Sequence, residues 1–168
     1  MEPEFILLVV FVLVSISRKI RTGNWDLALA GRMGMSALLL ITTIGHFMFA
    51  KGMAMILPNP IPFKMEIVYL TGLLEVAAAI GLMLARFRKL TAWLLVIFFI
   101  TIIPANIYEA IHHVDIETAT YTGGGPAGLW YRIPVQFLFI AIVYFSAIGN
   151  KQDNPYRTHL YRKRAFLG

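Results

Sequence analysis

Four stretches of this chain, Met33 to Phe49, Ile67 to Leu84, Leu90 to Tyr108 and Leu129 to Ile148, run for 17 to 20 residues with almost no charge. A helix needs about 20 apolar residues to cross the hydrocarbon core of a bilayer, and backbone in that core must satisfy its own hydrogen bonds. The runs read as spanning helices, and the fold class as an all-α, polytopic transmembrane helical bundle. With 58% hydrophobic residues, 14% charged residues and a mean hydropathy of +0.71, the chain is too apolar for an ordinary soluble domain.

A shorter apolar run, Phe5 to Ile16, precedes them. It crosses a membrane only if its helix starts at Pro3 and if Arg18 and Lys19 snorkel to the interface. Its flanks, acidic "MEPEF" before and basic "SRKIR" after, are the reverse of a cleavable signal peptide, although "ALAG" at Ala28 to Gly31 weakly matches a cleavage site. We read a retained helix, with a helix lying in the interface as the alternative. Residues 1–25 are then an N-terminal transmembrane helix with a basic linker, residues 26–149 a four-helix membrane domain, and residues 150–168 a basic cytoplasmic tail.

Basic residues set the expected orientation, because cytoplasmic loops carry the excess of Lys and Arg. Arg18, Lys19, Arg21 and Arg32 lie between the first two runs; Arg86, Arg88 and Lys89 join the third and fourth; Lys151, Arg157, Arg162, Lys163 and Arg164 lie in the tail. All fall on one side. The other side holds Glu2, Glu4, Glu66, Glu109, Asp115 and Glu117 against Lys51, Lys64 and Arg132. Five spans, N-terminus out and C-terminus in, fit this pattern. The net charge of +6 and pI near 9.8 then need no nucleic-acid partner, since a basic tail suits an anionic bilayer surface. Trp25 and Trp93 fall near the expected inner interface, and Trp130 and Tyr131 near the outer one. The absence of Cys excludes disulfides and thiolate metal sites within the chain.

The loops carry little chemistry. "LPNPIP", Leu57 to Pro62, is a stiff proline-rich reversal, and "TGGGPAG", Thr122 to Gly128, follows no strand and lacks the Lys-Ser/Thr ending of a phosphate loop. In "IHHVDIE" the adjacent His112 and His113 do not share a helix face, so a solvated acidic loop is expected and no metal site.

The polar residues within the runs are more informative. They are His46 in "ITTIGHFMF", Glu75 in "TGLLEVAA", Asn106 in "IIPANIYEA", and Arg132 with Gln136 in "WYRIPVQF". Their positions favour the outer half of the membrane, and they are the ligand-binding or proton-exchange candidates. Tyr69, Gly72, Pro104 and Tyr108 are supporting candidates. Gly72, Glu75 and Ala79 share a stripe whose small members let helices approach closely, as do Thr42, Gly45, His46 and Phe49. Pro104 removes the amide that would bond the Ile100 carbonyl, freeing it for a side chain, a water or a ligand near Asn106. The expectation is one polar pocket, capped by the proline loop, in which the other spans converge on Glu75. A network of this kind can equally be architecture; intramembrane ionisable residues nevertheless mark functional sites by default.

The order "GHF", "LPNPIP", "TGLLEVAAAIGLML", "IIPANIYEAI" and "YRIPVQ" resembles the DoxX-like family of small four-helix membrane proteins, over roughly Met33 to Ser146. The resemblance implies an integral protein of the bacterial cytoplasmic membrane. It also implies relatives that serve as redox-associated subunits, one of them quinone-linked, and more distant ones acting as membrane-protein chaperones or cargo receptors. The residues matching the family pattern are His46, Glu75, Pro104, Asn106, Arg132 and Gln136. Without cysteines a thiol-based role does not transfer.

Three functions follow as expectations. The first is an intramembrane site for a small amphipathic molecule, a quinone or a lipid, in a chain that is at most the membrane subunit of an oxidoreductase. No cofactor motif, activated nucleophile or metal triad marks an autonomous enzyme. The second is a chaperone, assembly or interaction subunit, with a membrane-protein partner or as a homo-oligomer, whose polar core is structural. The third, a transporter, fits worst, because inverted repeats and paired broken helices are lacking.

Overall fold

The computed structural model describes residues 3–149; the basic tail and Glu2, which entered the charge pattern, lie outside the described residues. Six α-helices form: α1 (Pro3–Thr22), α2 (Leu27–Met48), α3 (Ala50–Met55), α4 (Lys64–Met83), α5 (Arg88–Ile111) and α6 (Leu129–Val143). A 3-10 turn, Gly125–Gly128, leads into α6, and a π-helical turn, Tyr144–Ile148, ends it. Four helical segments, Leu27–Met48, Lys64–Met83, Arg88–Ile111 and Gly125–Ile148, are long and apolar enough to cross a membrane.

Each helix in this set packs against its sequence neighbour, and α2 closes the ring against α6 and the π turn. α1 lies outside the ring, along α2. Contact between these two helices is close because Gly34 has no side chain: a Cβ there would meet the Leu7 carbonyl oxygen at 2.9 Å. Arg18 pairs with Asp26 at one end of α1 (3.3 Å), and Tyr131 donates to Glu4 at the other.

The sequence boundaries shift in three places. α2 starts at Leu27, not Met33, because Asp26 caps it by accepting from the Leu29 amide (3.0 Å). Arg32 therefore does not sit in a loop; it is buried in α2 and donates from Nη1 to the Ser146 carbonyl (2.7 Å). The run ending at Phe49 continues, after a break at that residue, into the short α3, which the sequence reading did not contain. α5 reaches Ile111, so Glu109 belongs to its last turn and not to the following loop.

The core is divided along the bundle. Toward the end where α4 turns into α5, the buried side chains are mostly apolar, with Met35, Leu38, Leu39, Leu82 and Val143 almost fully enclosed beside the buried Arg32, Ser36 and Ser146. Toward the other end the buried layer contains Thr43, His46, Glu75, Glu109 and Gln136. Above this layer the loop after α5 folds back onto α3. Val114 buries itself against Ile56 and Ala105, and the Ile116 backbone rests on Gly52, where a Cβ would collide with it. Asp115 accepts from the Glu117 and Thr118 amides (3.0 and 3.2 Å), which tightens the tip of the loop.

Candidate functional site

Glu75 lies 11 residues into the 20 of α4, about 16 Å along a helix of about 30 Å, and is 6% exposed. A carboxylate at this depth requires partners. Among the described residues they come from α2 alone. Oε2 of Glu75 takes a hydrogen bond from the Thr42 hydroxyl at 2.9 Å, with the Thr43 hydroxyl and Nδ1 of His46 each at 3.4 Å. Close approach of the two helices is possible at Gly72, where a Cβ would stand 3.0 Å from the His46 Cβ. The stripe Gly72, Glu75, Ala79 is buried as its spacing implied.

The imidazole geometry fixes a proton. Nδ1 of His46 lies 3.0 Å from the Thr42 carbonyl oxygen, which can only accept, so Nδ1 carries hydrogen. In the neutral ring Nε2 then holds a lone pair and accepts; in the imidazolium it donates. His46 is 8% exposed. On the outer surface of the same α2–α4 seam, Phe47 and Tyr69 are exposed and stacked, with ring centroids 5.7 Å apart and an interplanar angle of 20°. Phe47 also reaches Gly72, so the aromatic pair covers the point where His46 meets α4. Tyr69 thus stands on the outer surface beside the buried pair and not within it.

The remaining candidates do not converge on Glu75. Gln136 is buried and ties α6 to α5: its Oε1 accepts from Asn106 Nδ2 (2.8 Å) and its Nε2 donates to the Phe99 carbonyl (2.5 Å). The carbonyl used near Pro104 is therefore that of Phe99, one residue before the expected Ile100. Pro104 itself is exposed, and Tyr108 stacks on His112 with centroids 3.8 Å apart, away from Glu75's hydrogen bonds. Arg132 donates to the carboxylate of Glu109, which is 5% exposed, and these two groups with Gly124, Gly125 and Gly128 line a cavity of about 90 Å³. In place of one pocket there are three polar clusters, on α2–α4, on α5–α6, and between the end of α5 and the start of α6.

Sequence reasoning missed Thr43, Glu109 and Ser36 as members of this polar interior. Thr42 and Thr43 were legible as hydroxyls one turn before His46, and Glu109 as the residue one turn after Asn106. Ser36, which donates to the Ala79 carbonyl (3.0 Å), had no signal beyond its position in an apolar run. Among the described residues, no group of three or more His, Asp and Glu side chains is placed to hold a metal ion.

No curated protein and no solved structure matches this chain. Residues 35–147 match the model of a family described as a domain of unknown function, DUF8561. That segment takes in most of α2 and all of the helices after it, and with them all three polar clusters, while α1 lies outside it. The chain belongs to the DUF8561 family.

Proposed function

We propose that this protein binds a small amphipathic molecule, a quinone or a lipid, at the α2–α4 seam. The observation that carries the reading is the buried His46–Glu75 pair, at 3.4 Å in mid-span, with a stacked aromatic pair on the outer surface of the same seam. A head group entering from the bilayer slides past Phe47 and Tyr69 and meets Nε2 of His46, which accepts from a hydroxyl when neutral and donates to a carbonyl when protonated. Glu75 balances the imidazolium in the second case, and the Thr42 hydroxyl holds the carboxylate in place. This is proton exchange with a ligand and not autonomous catalysis. If the ligand is a quinone, electrons come from a partner, and the protein is the membrane subunit of a redox complex. The DoxX-like order of motifs supports that narrower form, although nothing in the DUF8561 match links the chain to DoxX-like proteins.

In this reading the protein has five spans, with α1 as the fifth and the C-terminus in the cytoplasm of a bacterial cell. Supporting the fifth span, α1 contacts the bundle through Arg18–Asp26 at one end and Glu4–Tyr131 at the other. The test is extraction of quinones and lipids from protein purified in native lipid, read by mass spectrometry. Near-stoichiometric retention of one species by the wild type, lost at least tenfold in Glu75→Gln, is expected. Equal retention by both would overturn the reading.

A second reading has its own observation. The Gln136–Asn106–Phe99 and Arg132–Glu109 contacts are closed ties between α5 and α6, as a structural polar core would be. The protein would then be a chaperone, assembly or interaction subunit, and a stable membrane-protein partner would co-purify with both the wild type and Glu75→Gln.

A further inference from the structure

The tie between Glu109 and Arg132 uses only one oxygen of the carboxylate. Arg132 Nη1 donates to Oε2, and Oε1 accepts from no described residue. Glu109 is 5% exposed, yet Oε1 is not sealed away: among the described residues, the enclosed side-chain atoms without a partner belong to Ser15, Arg18 and Arg32. Oε1 therefore keeps some accessible surface, and the cavity of about 90 Å³ that Glu109 lines is where that surface lies. Arg132, half-exposed, stands at the mouth of this cavity. Gly124, Gly125 and Gly128 form part of its wall. Gly125 is required there, because its φ is +71° and a Cβ would strike the His113 ring at 2.4 Å.

The charges around the cavity are ordered. α5 brings Glu109, α6 brings Arg132, and the loop between them brings His113 and Asp115, the latter near enough for its charge to act on Glu109. With His113 neutral, two carboxylates stand against one guanidinium, and the guanidinium is the group that water screens. The interior is left negative, whereas the mouth is positive. A carboxylate oxygen this buried is costly unless donors reach it, and a cation carrying N–H groups supplies both charge and donors. Size narrows the choice. At about 30 Å³ per water the cavity holds about three, and it falls below the roughly 150 Å³ that takes benzene, so an ammonium and its adjoining methylenes fit and an aromatic ring does not. Ala110 and Val114 give the methylenes an apolar wall. Trp130 and Tyr131, exposed beside Arg132, are the aromatics expected at a membrane boundary, which lipid head groups and dissolved molecules both reach. We infer that this cavity receives the primary ammonium of a small zwitterion whose anionic group pairs with Arg132 at the mouth. An ethanolamine phospholipid and a free aminoalkyl phosphate share that chemistry. The site is separate from the α2–α4 seam.

Two arms test this on the full-length protein. In the first, protein in maltoside micelles is titrated calorimetrically with phosphoethanolamine and with phosphocholine, whose trimethylammonium has no hydrogen to donate. In the second, protein in nanodiscs of equal phosphatidylethanolamine and phosphatidylcholine with matched chains is released into native mass spectrometry and the retained lipids are counted. The ethanolamine form should be preferred at least tenfold in one arm or both, and Glu109→Gln, which keeps an acceptor for Arg132 but removes the charge, should reduce the preference to less than twofold. Preference in the nanodisc arm alone assigns the ammonium to a lipid head group; binding in the calorimetric arm assigns it to a free molecule. No preference in either arm, or one that Glu109→Gln leaves undiminished, would overturn the inference. The first of these outcomes is read on the wild type, so it decides the matter even if Glu109→Gln fails to fold.

Discussion

Replacing Gln136 by Leu keeps the side chain's size and removes two hydrogen bonds, to Asn106 Nδ2 at 2.8 Å and to the Phe99 carbonyl at 2.5 Å. Gln136 is 6% exposed, so water does not take its place easily. Side-chain hydrogen bonds between membrane helices are worth about 0.6 to 1.7 kcal/mol each, because the unfolded chain in the membrane also finds partners. Two such bonds give an expected loss of about 1 to 3 kcal/mol. Asn106→Ala removes only the first and should cost about half as much. The double variant isolates their pairing, with a coupling of about 0.6 to 1.7 kcal/mol expected. The assay is reversible unfolding in mixed micelles, followed by helical circular dichroism. A coupling no larger than the roughly 0.3 to 0.5 kcal/mol scatter seen between independent sites would refute the claim that Gln136 ties α6 to α5.

Gly52→Ala places a Cβ 2.6 Å from the carbonyl carbon of Ile116, so the loop after α5 must lift from α3. Proteolysis between His112 and Gly124 should accelerate at least tenfold while the spans stay folded, and unchanged cleavage would count against the docking described. Arg132→Gln leaves the carboxylate of Glu109 without its cation. Loss of a fully buried partner costs about 3 to 5 kcal/mol, but the Arg132 side chain is 46% exposed, so screening reduces the expected cost to about 1 to 3 kcal/mol, partly recovered in Glu109→Gln/Arg132→Gln. In the loop outside the spans, hydrogen bonds from Thr118 foremost and from the Glu117 amide hold Asp115 below the ordinary aspartate pKa. A depressed pKa in the folded state means that the turn's contribution is present above the unfolded value and is lost as pH falls through the folded one. Amide exchange at Glu117 and Thr118, corrected for intrinsic rates, should therefore be protected at neutral pH and lose protection only in strong acid; Asp115→Asn should flatten that dependence.

Much of the fold was legible because hydrocarbon leaves a chain few choices: apolar runs of sufficient length had to be helices, and consecutive spans had to alternate in direction. The break at Phe49 and the start at Leu27 were less visible, since Asp26 reads as a cap only once Leu29 is known to be helical. The site was legible residue by residue but not as an assembly. Periodicity places Gly72, Glu75 and Ala79 on one face, yet it does not say which neighbour that face meets. Thr42, Thr43 and His46 satisfy Glu75 within one helix pair, so Gln136 and Asn106 were left to bond each other. Arg32 shows the same limit: by composition it belonged with the interfacial basic residues, whereas the π turn brings the Ser146 carbonyl within 2.7 Å of its buried guanidinium.

On the proposed function, the α2–α4 seam receives a ligand head group at His46. The most direct measurement is an electron cryomicroscopy structure of the full-length protein in native lipid, compared between the wild type and Glu75→Gln. Density for a bound molecule touching Nε2 of His46 is expected in the wild type, with Phe47 and Tyr69 turned aside or stacked on it, and is expected to be lost in the variant. A seam with no added density in the wild type, with Phe47 stacked on Tyr69 as here, would contradict the proposed function and leave the polar interior as a scaffold.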